Sequence, residues 1–256
     1  MNPFLNKLVL ITGASAGIGR QTALDFADEG AKLLLAARRS RELAETADEA
    51  SLRNAQVFTF QCDLSDRTAR DRLIEQVITS HGIPDILINN AGFGNYQLFT
   101  EESIADVYRM MEVNYLAAAH LIHAFLPEML KRNSGSIVNV SSGAGKVAMP
   151  NMASYCATKF ALCALTESIA YELHKTGVTI HCVNPGPTET EFFQAGIWKG
   201  TLPRRKAGAA DVSLAIRDAI FKDKLYSYVP PKRGLMAVVF HLLGPYGRKV
   251  LQRKEK

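Results

Sequence analysis

The chain has 256 residues, of which 47% are hydrophobic and 21% charged, a composition typical of one folded domain with a large core. This composition excludes a disordered or low-complexity protein. The longest uncharged apolar run near either end, Leu235 to Leu243, is far shorter than the roughly 20 residues of a membrane-spanning helix. The N-terminus lacks the pattern of a signal peptide, so we expect a cytoplasmic protein.

The net charge of +5 is distributed unevenly along the chain. Residues 232–256 carry seven Lys or Arg residues and a single acidic residue, whereas the rest of the chain is close to neutral. A general nucleic-acid-binding protein carries a basic face with base-reading or stacking elements, and the sequence contains no motif of that kind. We therefore expect no nucleic-acid partner.

The cysteines and histidines predict neither a metal site nor a disulfide framework. The cysteines have no CxxC spacing, and His120 and His123, three residues apart, are not accompanied by a cluster of carboxylates or thiols. We expect no bound metal and interpret the cysteines as small buried side chains in a reducing compartment. They are Cys62, Cys156, Cys163 and Cys182.

Seven apolar segments rich in strand-forming residues alternate with longer amphipathic segments. Buried strands separated by helices are typical of a parallel sheet covered by helices on both faces. Right-handed crossovers then produce a doubly wound α/β sheet of the Rossmann type, in a single domain that spans residues 1–256. The predicted strands are Lys7–Thr12, Ala31–Ala37, Ala55–Gln61, Asp85–Asn89, Gly135–Ser141, Val178–Asn184 and Leu225–Pro230, the last with the weakest pattern.

A glycine-rich stretch, "TGASAGIGR", follows the first predicted strand. Gly13, Gly17 and Gly19 permit a tight turn and a close approach of the backbone to a ligand, and the next helix offers free amide groups to a pyrophosphate. The spacing TGxxxGxG differs from the usual GxGxxG fingerprint, so the stretch alone is also compatible with an ordinary turn. Its position between a strand and a helix favours a dinucleotide-binding loop.

The end of the second predicted strand indicates which dinucleotide is bound. An NAD site usually places an acidic residue about 20 residues beyond the glycine loop. Ala37 stands at that point, and Arg38 and Arg39 follow it. Because arginine pairs well with phosphate, the pattern favours NADP(H) over NAD(H). The alternative is a pair of solvated arginines on a loop.

A tyrosine and a lysine four residues apart occur in "SYCATKF". On a helix, Tyr155 and Lys159 would share one face. A nearby cation favours the phenolate, so we expect Lys159 to lower the pKa of Tyr155 from its usual value of about 10. Such a phenol can act as a general acid or base. The same spacing also arises by chance on surface helices, so a catalytic interpretation of this pair depends on the other motifs in the chain.

In chain order, the motifs resemble those of the short-chain dehydrogenase/reductase family. The region around Tyr155 is most similar to the hydroxysteroid-dehydrogenase-like branch, because it lacks the "GQxNY" typical of reductases that act on acyl-carrier-protein thioesters. The matching motifs are "TGASAGIG" (Thr12–Gly19), "CDLSD" (Cys62–Asp66), "NNAG" (Asn89–Gly92), Asn114 in "VNYLA", "NVSSGAG" (Asn139–Gly145), "YCATK" (Tyr155–Lys159) and "NPGPTET" (Asn184–Thr190).

This resemblance implies an oxidoreductase that interconverts a ketone or aldehyde and an alcohol with NADP(H). It implies that Tyr155 exchanges a proton with the substrate oxygen, which Ser142 holds, with Ser141 as the alternative serine. Lys159 would hydrogen-bond the nicotinamide ribose as well as lower the pKa of the tyrosine. Asn114 would support a water molecule in a proton relay.

The resemblance also implies the residues of the cofactor site. Arg38 matches the residue that binds the 2′-phosphate, and Asp63 would accept a hydrogen bond from the adenine. Thr190 would meet the nicotinamide carboxamide or the phosphates. The further implied cofactor-binding residues are Gly13, Ser15, Gly17, Ile18, Gly19, Leu64, Asn90, Ala91, Gly92, Tyr155, Lys159, Pro185, Gly186 and Thr188.

Residues 188–210 are predicted to form a substrate loop that closes over the active site. Its apolar residues and those near the catalytic motifs favour an apolar ketone or alcohol. Two alternatives remain: a 3-oxoacyl reductase of lipid metabolism, and a regulator that senses a dinucleotide without turnover. The predicted lining residues are Phe93, Tyr96, Met149, Met152, Phe192, Phe193, Ile197 and Trp198.

The basic tail, residues 232–256, contains apolar residues at helical spacing between Leu235 and Leu243. One hypothesis is a short amphipathic helix that contacts a membrane surface. We favour the alternative, a helix that covers the substrate cleft or forms an oligomer contact. Family resemblance implies a homo-dimer or homo-tetramer. The helix after Tyr155 carries small residues that permit close helix packing, namely Ala157, Ala161, Ala164 and Ser168.

Overall fold

A parallel β-sheet forms the centre of the structure. The computed structural model describes residues 2–192, 196–199 and 207–232. Within these ranges, seven strands lie in one sheet in the order β3-β2-β1-β4-β5-β6-β7, and each pair of neighbours is parallel. The predicted doubly wound α/β class is therefore confirmed. The strands are β1 (Leu8–Thr12), β2 (Lys32–Ala37), β3 (Val57–Gln61), β4 (Ile86–Asn89), β5 (Gly135–Val140), β6 (Val178–Pro185) and β7 (Tyr226–Val229).

Helices connect successive strands and cover both faces of the sheet. A π-helical turn, Glu112–Leu116, joins α4 to α5 without a break. Short 3-10 turns occur at Phe99–Glu101 and Gly143–Gly145. The helices of the described part are α1 (Gly17–Asp28), α2 (Ser40–Ser51), α3 (Arg67–His81), α4 (Ile104–Met111), α5 (Ala117–Lys131), α6 (Ala153–Glu172) and α7 (Ala209–Phe221).

Alternate residues of the central strands enter two separate hydrophobic layers. Val9 and Ile11 of β1 pack with α1, α2 and α7, whereas Leu10 packs with α3, α5 and α6 on the opposite face. Successive strand side chains point to opposite faces, so a strand covered on both faces is apolar throughout. This is why the central strands read as uninterrupted apolar runs. The edge strand β3 is more exposed, with Phe58 at 40%.

The order of the strands reverses beside β1. The chain proceeds from β1 to β2 and β3 on one side, and from β4 to β7 on the other. In doubly wound sheets, the crevice at the carboxyl ends of the strands next to this reversal is the usual ligand site. Most of the predicted cofactor-binding residues lie in the loops that follow the strands at this edge. Asn114 lies instead on the helical turn before α5, and Tyr155 and Lys159 lie on α6.

Among the described residues, no helix is long and apolar enough to cross a membrane. In the same ranges, no group of three or more His, Cys, Asp or Glu side chains is arranged to hold a metal ion. The predicted amphipathic helix of the basic tail and the predicted lining residue Phe193 lie outside the described residues.

Candidate active site

A cavity of about 960 Å³ opens along the carboxyl edge of the sheet. It extends from Arg38 and Asp63 at one end to Tyr155 and Lys159 at the other. Gly19 and Asn114 do not line it but lie directly behind its wall. The predicted residues that line it are Gly13, Ser15, Gly17, Ile18, Arg38, Asp63, Leu64, Asn90, Ala91, Gly92, Ser142, Tyr155, Lys159, Pro185, Gly186, Thr188 and Thr190.

The glycine-rich loop turns sharply between β1 and α1. Gly13 has a φ of +66°, a conformation that glycine adopts without strain. A Cβ added to Gly19 would collide with the carbonyl oxygen of Gly13, so Gly19 serves the packing of the loop. Ala16 precedes α1 and provides no side-chain cap. The first amide groups of α1 therefore remain available to an anion in the cavity.

Thr12 fastens the loop after β4 to the end of β1. Its Oγ1 accepts hydrogen bonds from the backbone amides of Asn90 (3.0 Å) and Ala91 (3.1 Å). The side-chain amide of Asn90 in turn donates to the carbonyl oxygen of Thr12 at 2.9 Å. These bonds give a structural reason for the "NNAG" motif at the end of β4. The side-chain amide of Asn90 provides a hydrogen-bond donor for the carbonyl oxygen of Thr12, at the end of β1.

Asp63 and Arg38 lie at the far end of the cavity. Asp63 Oδ1 accepts hydrogen bonds from the amide and the hydroxyl of Ser65, at 3.0 and 2.7 Å. Burial would raise the pKa of Asp63, but these bonds and the charge of Arg38 lower it below its usual value. The carboxylate is therefore ionised at neutral pH and accepts hydrogen bonds.

The two arginines after β2 have different surroundings. Arg39 forms ion pairs with Glu191 (2.7 Å) and Glu42 (3.4 Å), and its guanidinium lies 3.5 Å from Ser15 Oγ. Arg38 is exposed, and among the described residues no ion pair holds its guanidinium, although its charge acts on Asp63. Arg38 is thus the arginine that is available to a ligand.

Two serines follow β5, and they point in different directions. Ser142 Oγ caps the turn Gly143–Gly145 by accepting from the amide of Ala144 at 3.1 Å, and it donates to the carbonyl oxygen of Pro185 at 3.5 Å. It also lies close enough to the phenol of Tyr155 to lower the pKa of that group. Ser141 Oγ instead donates to the carbonyl oxygen of Lys159 at 3.1 Å, within α6. Of the two candidate serines, Ser142 is the one that meets Tyr155 inside the cavity.

Tyr155 and Lys159 share one face of α6, and both are almost completely buried. The Lys159 ammonium donates to the carbonyl oxygen of Val140 at 3.0 Å and lies 5.9 Å from the centroid of the Tyr155 ring. Burial lowers the pKa of Lys159 to about 8. The ammonium can therefore lose its proton in a mildly alkaline range.

The pKa of Tyr155 differs from the sequence-based expectation. Burial raises it above the usual value of a phenol, and the hydrogen bond with Ser142 opposes this only in part. Lys159 does not reverse the shift, because its ammonium faces Val140 rather than the phenol oxygen. Tyr155 is therefore a protonated phenol at neutral pH in this arrangement.

Asn114 lies in the π-helical turn between α4 and α5. Its side chain makes three hydrogen bonds: Oδ1 accepts from the amide of Phe93 (3.0 Å), and Nδ2 donates to the Phe93 carbonyl (2.8 Å) and to Thr158 Oγ1 (3.0 Å). A Cβ added to Gly92 would lie 3.1 Å from Asn114 Oδ1 and 3.3 Å from Lys159 Nζ. Asn114 thus fixes the loop after "NNAG" beside Lys159 and holds no substrate itself.

The wall near Tyr155 is apolar and aromatic, as predicted. Tyr96 and Trp198 stack with ring centroids 4.8 Å apart, and Phe192 packs against Tyr155 at 5.4 Å. The prediction for Ile197 was wrong, because this side chain is 44% exposed and points away from the cavity. The predicted residues that do line this wall are Phe93, Tyr96, Met149, Met152, Phe192 and Trp198.

Several contacts of the site were not predicted. Gly94 lies against the ring of Tyr155, and Glu191 reaches across the cavity to Arg39. The thiols of Cys163 and Cys182 lie 3.6 Å apart, although the residues are distant in sequence. Only Gly94 had a signal in the sequence, as a second glycine two residues after the glycine of "NNAG".

Gly94→Ala is expected to lower kcat by about tenfold while the affinity for the dinucleotide stays nearly unchanged. A Cβ at this position would lie 2.6 Å from Cδ2 and 2.9 Å from Cγ of Tyr155, so the ring must move. Small displacements of a reacting group are costly to catalysis. Steady-state kinetics and dinucleotide titration test this result. Gly208→Ala, whose added Cβ would make only ordinary contacts at 3.4 Å or more, is the control.

Comparison with known proteins identifies the family. A family model described as short chain dehydrogenase matches residues 7–197. The probable oxidoreductase EphD of Mycobacterium tuberculosis (strain ATCC 25618 / H37Rv) is 34% identical over 255 residues, covering 95% of this chain and 43% of EphD. This chain therefore spans less than half the length of that relative. The 3-oxoacyl-[acyl-carrier-protein] reductase FabG of Staphylococcus aureus (strain N315) is 34% identical over 183 residues, covering 71% of this chain and 74% of FabG.

Solved structures agree with this assignment. A short-chain dehydrogenase/reductase from Burkholderia phymatum, in complex with NAD, superposes with a TM-score of 0.86 at 28% identity and covers 95% of each chain. A short-chain dehydrogenase from Sphingobium yanoikuyae, in complex with NADPH, has a TM-score of 0.82 at 26% identity, with coverage of 93% of this chain and 95% of its own. The chain therefore belongs to the short-chain dehydrogenase/reductase family of oxidoreductases.

Proposed function

We propose that this protein interconverts an uncharged, apolar ketone or aldehyde and the corresponding alcohol with NADP(H). The observation that carries the proposal is that Ser142, Tyr155 and Lys159 line the same cavity, with Tyr155 and Lys159 on one face of α6. Two hydroxyl groups side by side can bind one carbonyl oxygen, and one of them can deliver a proton to it.

The residues of the cavity suit a dinucleotide. The free amide groups at the start of α1 and the glycine loop suit a pyrophosphate, the ionised carboxylate of Asp63 suits an amino group of adenine, and Arg38 suits a 2′-phosphate. The relatives with bound NAD and NADPH support a nicotinamide dinucleotide in general. When bound, the nicotinamide supplies or accepts the hydride.

Each catalytic side chain then has a separate task in the mechanism. Ser142 donates a hydrogen bond to the carbonyl oxygen and holds it beside the phenol. Tyr155 donates its proton to this oxygen as negative charge develops there, or removes the proton in the opposite direction. Lys159 places a buried positive charge 5.9 Å from the centroid of the Tyr155 ring, where it can stabilise negative charge that develops on the substrate oxygen. Asn114 fixes the backbone of Phe93 and thereby the wall of the site.

The protonation state of Tyr155 favours carbonyl reduction. Burial raises the pKa of this phenol, so the proton needed for transfer to a carbonyl oxygen is present at neutral pH. Alcohol oxidation would require the phenol to lose that proton first. We therefore propose that the reductive direction is the faster one near pH 7.

The rate of reduction should depend on pH through Lys159. Its pKa is about 8, and the charged form exists below that value. We expect kcat/KM for the carbonyl substrate to be constant below about pH 8 and to fall about tenfold per pH unit above it. At saturating NADPH this parameter reports ionisation of the enzyme–NADPH complex before the carbonyl compound binds. Initial rates between pH 6 and about pH 10 at saturating NADPH measure this profile.

Cys163→Ser is the control for this profile. The hydrogen bond from Cys182 lowers the pKa of the Cys163 thiol, so this buried thiol also titrates in the relevant range. If the alkaline limb persists in Cys163→Ser, the lysine remains its source. If the limb disappears, the thiol pair causes it and the assignment to Lys159 is wrong.

NADPH consumption with a panel of ketones and aldehydes, graded in size and polarity, tests the proposed function. We expect turnover with uncharged apolar carbonyl compounds, and we expect it to disappear in Tyr155→Phe. Binding of NADPH without turnover on any compound would instead favour a non-catalytic dinucleotide sensor.

A second candidate function is 3-oxoacyl reduction. It is favoured by the 34% identity to FabG over 71% of this chain. For this function, the 3-oxoacyl chain would have to pass the aromatic wall of Tyr96 and Trp198, while the anionic carrier attached to it stays outside the cavity. A 3-oxoacyl thioester in the panel distinguishes it: a kcat/KM far above that of every simple ketone would support this candidate.

We also propose that the protein forms a homo-oligomer. One face of α6 exposes the small residues Ala157, Ala164 and Ser168 together with Phe160, which is 36% exposed. Small residues permit two helices to approach closely, and an exposed aromatic side chain gains from burial. Light scattering should give a multiple of the chain mass of 28.1 kDa, and a single species of that mass at micromolar concentration would contradict the proposal.

A further inference from the structure

The aromatic wall is formed by two segments that are distant in sequence, one around Tyr96 and one around Trp198. Backbone hydrogen bonds join the two segments. The amide of Tyr96 donates to the carbonyl oxygen of Ile197 at 2.7 Å, and the amide of Lys199 donates to the carbonyl of Tyr96 at 2.9 Å. The side chain of Asn95 accepts from the amide of Ile197 at 2.9 Å. A Cβ on Gly196 would collide with the carbonyl oxygen of Gly94, so the segments touch directly. Backbone contacts therefore hold the two parts of this wall together.

The fastened segments hold two aromatic rings in a defined stack. The rings of Tyr96 and Trp198 are 4.8 Å apart and inclined by only 26°. Both rings line the cavity beside Tyr155, and they pack on the same apolar cluster as Met152 and Phe192. A stacked pair of rings presents a flat π-face, and further aromatic rings pack on such faces in an offset or edge-on arrangement.

Of the charged side chains in the described lining, only Arg109 approaches the aromatic wall. Arg38, Arg39 and Glu191 are at the adenosine end, and Arg109, whose charge also acts on Asp63, leans over the ring of Phe93. Lys159 is buried and directed at Val140. Around Tyr96 and Trp198 the described wall is mainly apolar and aromatic, and its polar groups are the Tyr96 hydroxyl and the Trp198 indole N–H. Such a wall favours an uncharged substituent over an anionic one.

From this geometry we infer, on the basis of the proposed function, that the enzyme prefers ketones that carry a planar aromatic ring next to the carbonyl, and that Trp198 is the residue that determines this preference. The carbonyl oxygen lies at Ser142 and Tyr155, and the ring packs against the stack of Tyr96 and Trp198. A saturated ring of the same carbon number is puckered and has no π-face, so it gains less from this wall.

The decisive comparison uses acetophenone and cyclohexyl methyl ketone, which have the same carbon skeleton size and differ in the flatness of the ring. The two differ in intrinsic reactivity, so the quantity of interest is how a substitution changes their ratio of kcat/KM. In the full-length protein with NADPH, Trp198→Leu should lower the ratio of kcat/KM for acetophenone to kcat/KM for cyclohexyl methyl ketone by about three- to tenfold. This is the effect expected from the loss of one contact between aromatic rings.

Two further variants separate the stack from general effects on folding. Trp198→Tyr keeps an aromatic ring and should keep most of the ratio. Ile197→Ala alters the neighbouring, 44% exposed side chain outside the cavity and should leave the ratio unchanged. A ratio that changes less than twofold in Trp198→Leu, or that changes equally in Ile197→Ala, overturns the inference while the proposed function stands.

A binding measurement tests the same inference without turnover. Trp198 is the single tryptophan of the chain, so its emission reports on the wall directly. We expect 1-phenylethanol to produce a saturable change in this emission at about three- to tenfold lower concentration than 1-cyclohexylethanol. Equal concentrations for the two alcohols overturn the inference. Loss of turnover on every carbonyl compound, with this binding preference intact, would count against the proposed reaction and not against the aromatic wall.

Discussion

Replacement of Tyr155 by phenylalanine is expected to lower the rate of NADPH-dependent carbonyl reduction by about 10²- to 10⁴-fold, the range in which a positioned general acid contributes. The substitution removes one oxygen atom and keeps the ring. The ring packs in an apolar cluster with Met110, Met152 and Phe192, so its shape is retained. What disappears is the phenol proton, which burial holds in place at neutral pH.

The same substitution should leave the dissociation constant of NADPH within about threefold of its original value, because one neutral hydrogen bond contributes little to binding. Tyr171→Phe is the matched control. Tyr171 lies on the same helix, is 69% exposed, and only donates a hydrogen bond to Glu167. Its loss should change neither the rate nor the affinity.

If the rate of Tyr155→Phe stays within about tenfold of the rate of the unsubstituted protein, the assigned role is contradicted. Such a small fall in rate would be less than the contribution expected of a general acid. The proton would then have to come from Ser142 or from solvent. A rate that falls together with the affinity for NADPH would indicate damage to the fold, which a thermal unfolding curve would reveal.

The strands and their environment could be predicted because burial on both faces leaves a clear record in sequence. β1 and β2 read as apolar runs, and both lie at the centre of the sheet. All seven predicted strands occur, with bounds within two residues of those expected. The order of the strands in the sheet was not predicted, because local patterns do not encode which strands become neighbours.

Contacts between distant segments could not be predicted from local pattern. Cys163 on α6 and Cys182 on β6 show no motif, yet the packing of that helix on that strand brings their thiols together. Ile197 was expected in the cavity from its apolar character. Its backbone pairs with Tyr96 and turns the side chain outward, while Trp198 turns inward.

Electrostatic effects were even less accessible to sequence reasoning. The spacing of Tyr155 and Lys159 correctly put both on one face of α6, but it suggested that the ammonium acts on the phenol. The direction of the lysine depends on the carbonyl of Val140, at the end of a strand remote in sequence. Without that contact and the degree of burial, the sign of the pKa shift of Tyr155 could not be known.

Arg38→Ala is expected to raise the KM for NADPH by about 10²-fold and to change the KM for NADH by less than about threefold. A guanidinium forms two charge-assisted hydrogen bonds with a phosphate, each of roughly 1.5–3 kcal/mol, and NADH lacks that phosphate. Arg38 is suited to this contact because, in the described part of the chain, no carboxylate is paired with it. A bound 2′-phosphate would not have to displace an existing partner.

Arg39→Ala is the matched control, since it removes the same charge one residue away. Arg39 is already held by Glu191 and Glu42, so a phosphate would have to compete with two carboxylates for it. We expect its loss to raise the KM for NADPH by less than about fivefold, because half-exposed ion pairs contribute little. If Arg39→Ala has the larger effect, Arg39 leaves Glu191 to bind the phosphate. If neither substitution changes the ratio of the two KM values, the arginines after β2 do not select the cofactor and the proposed preference for NADP(H) is wrong.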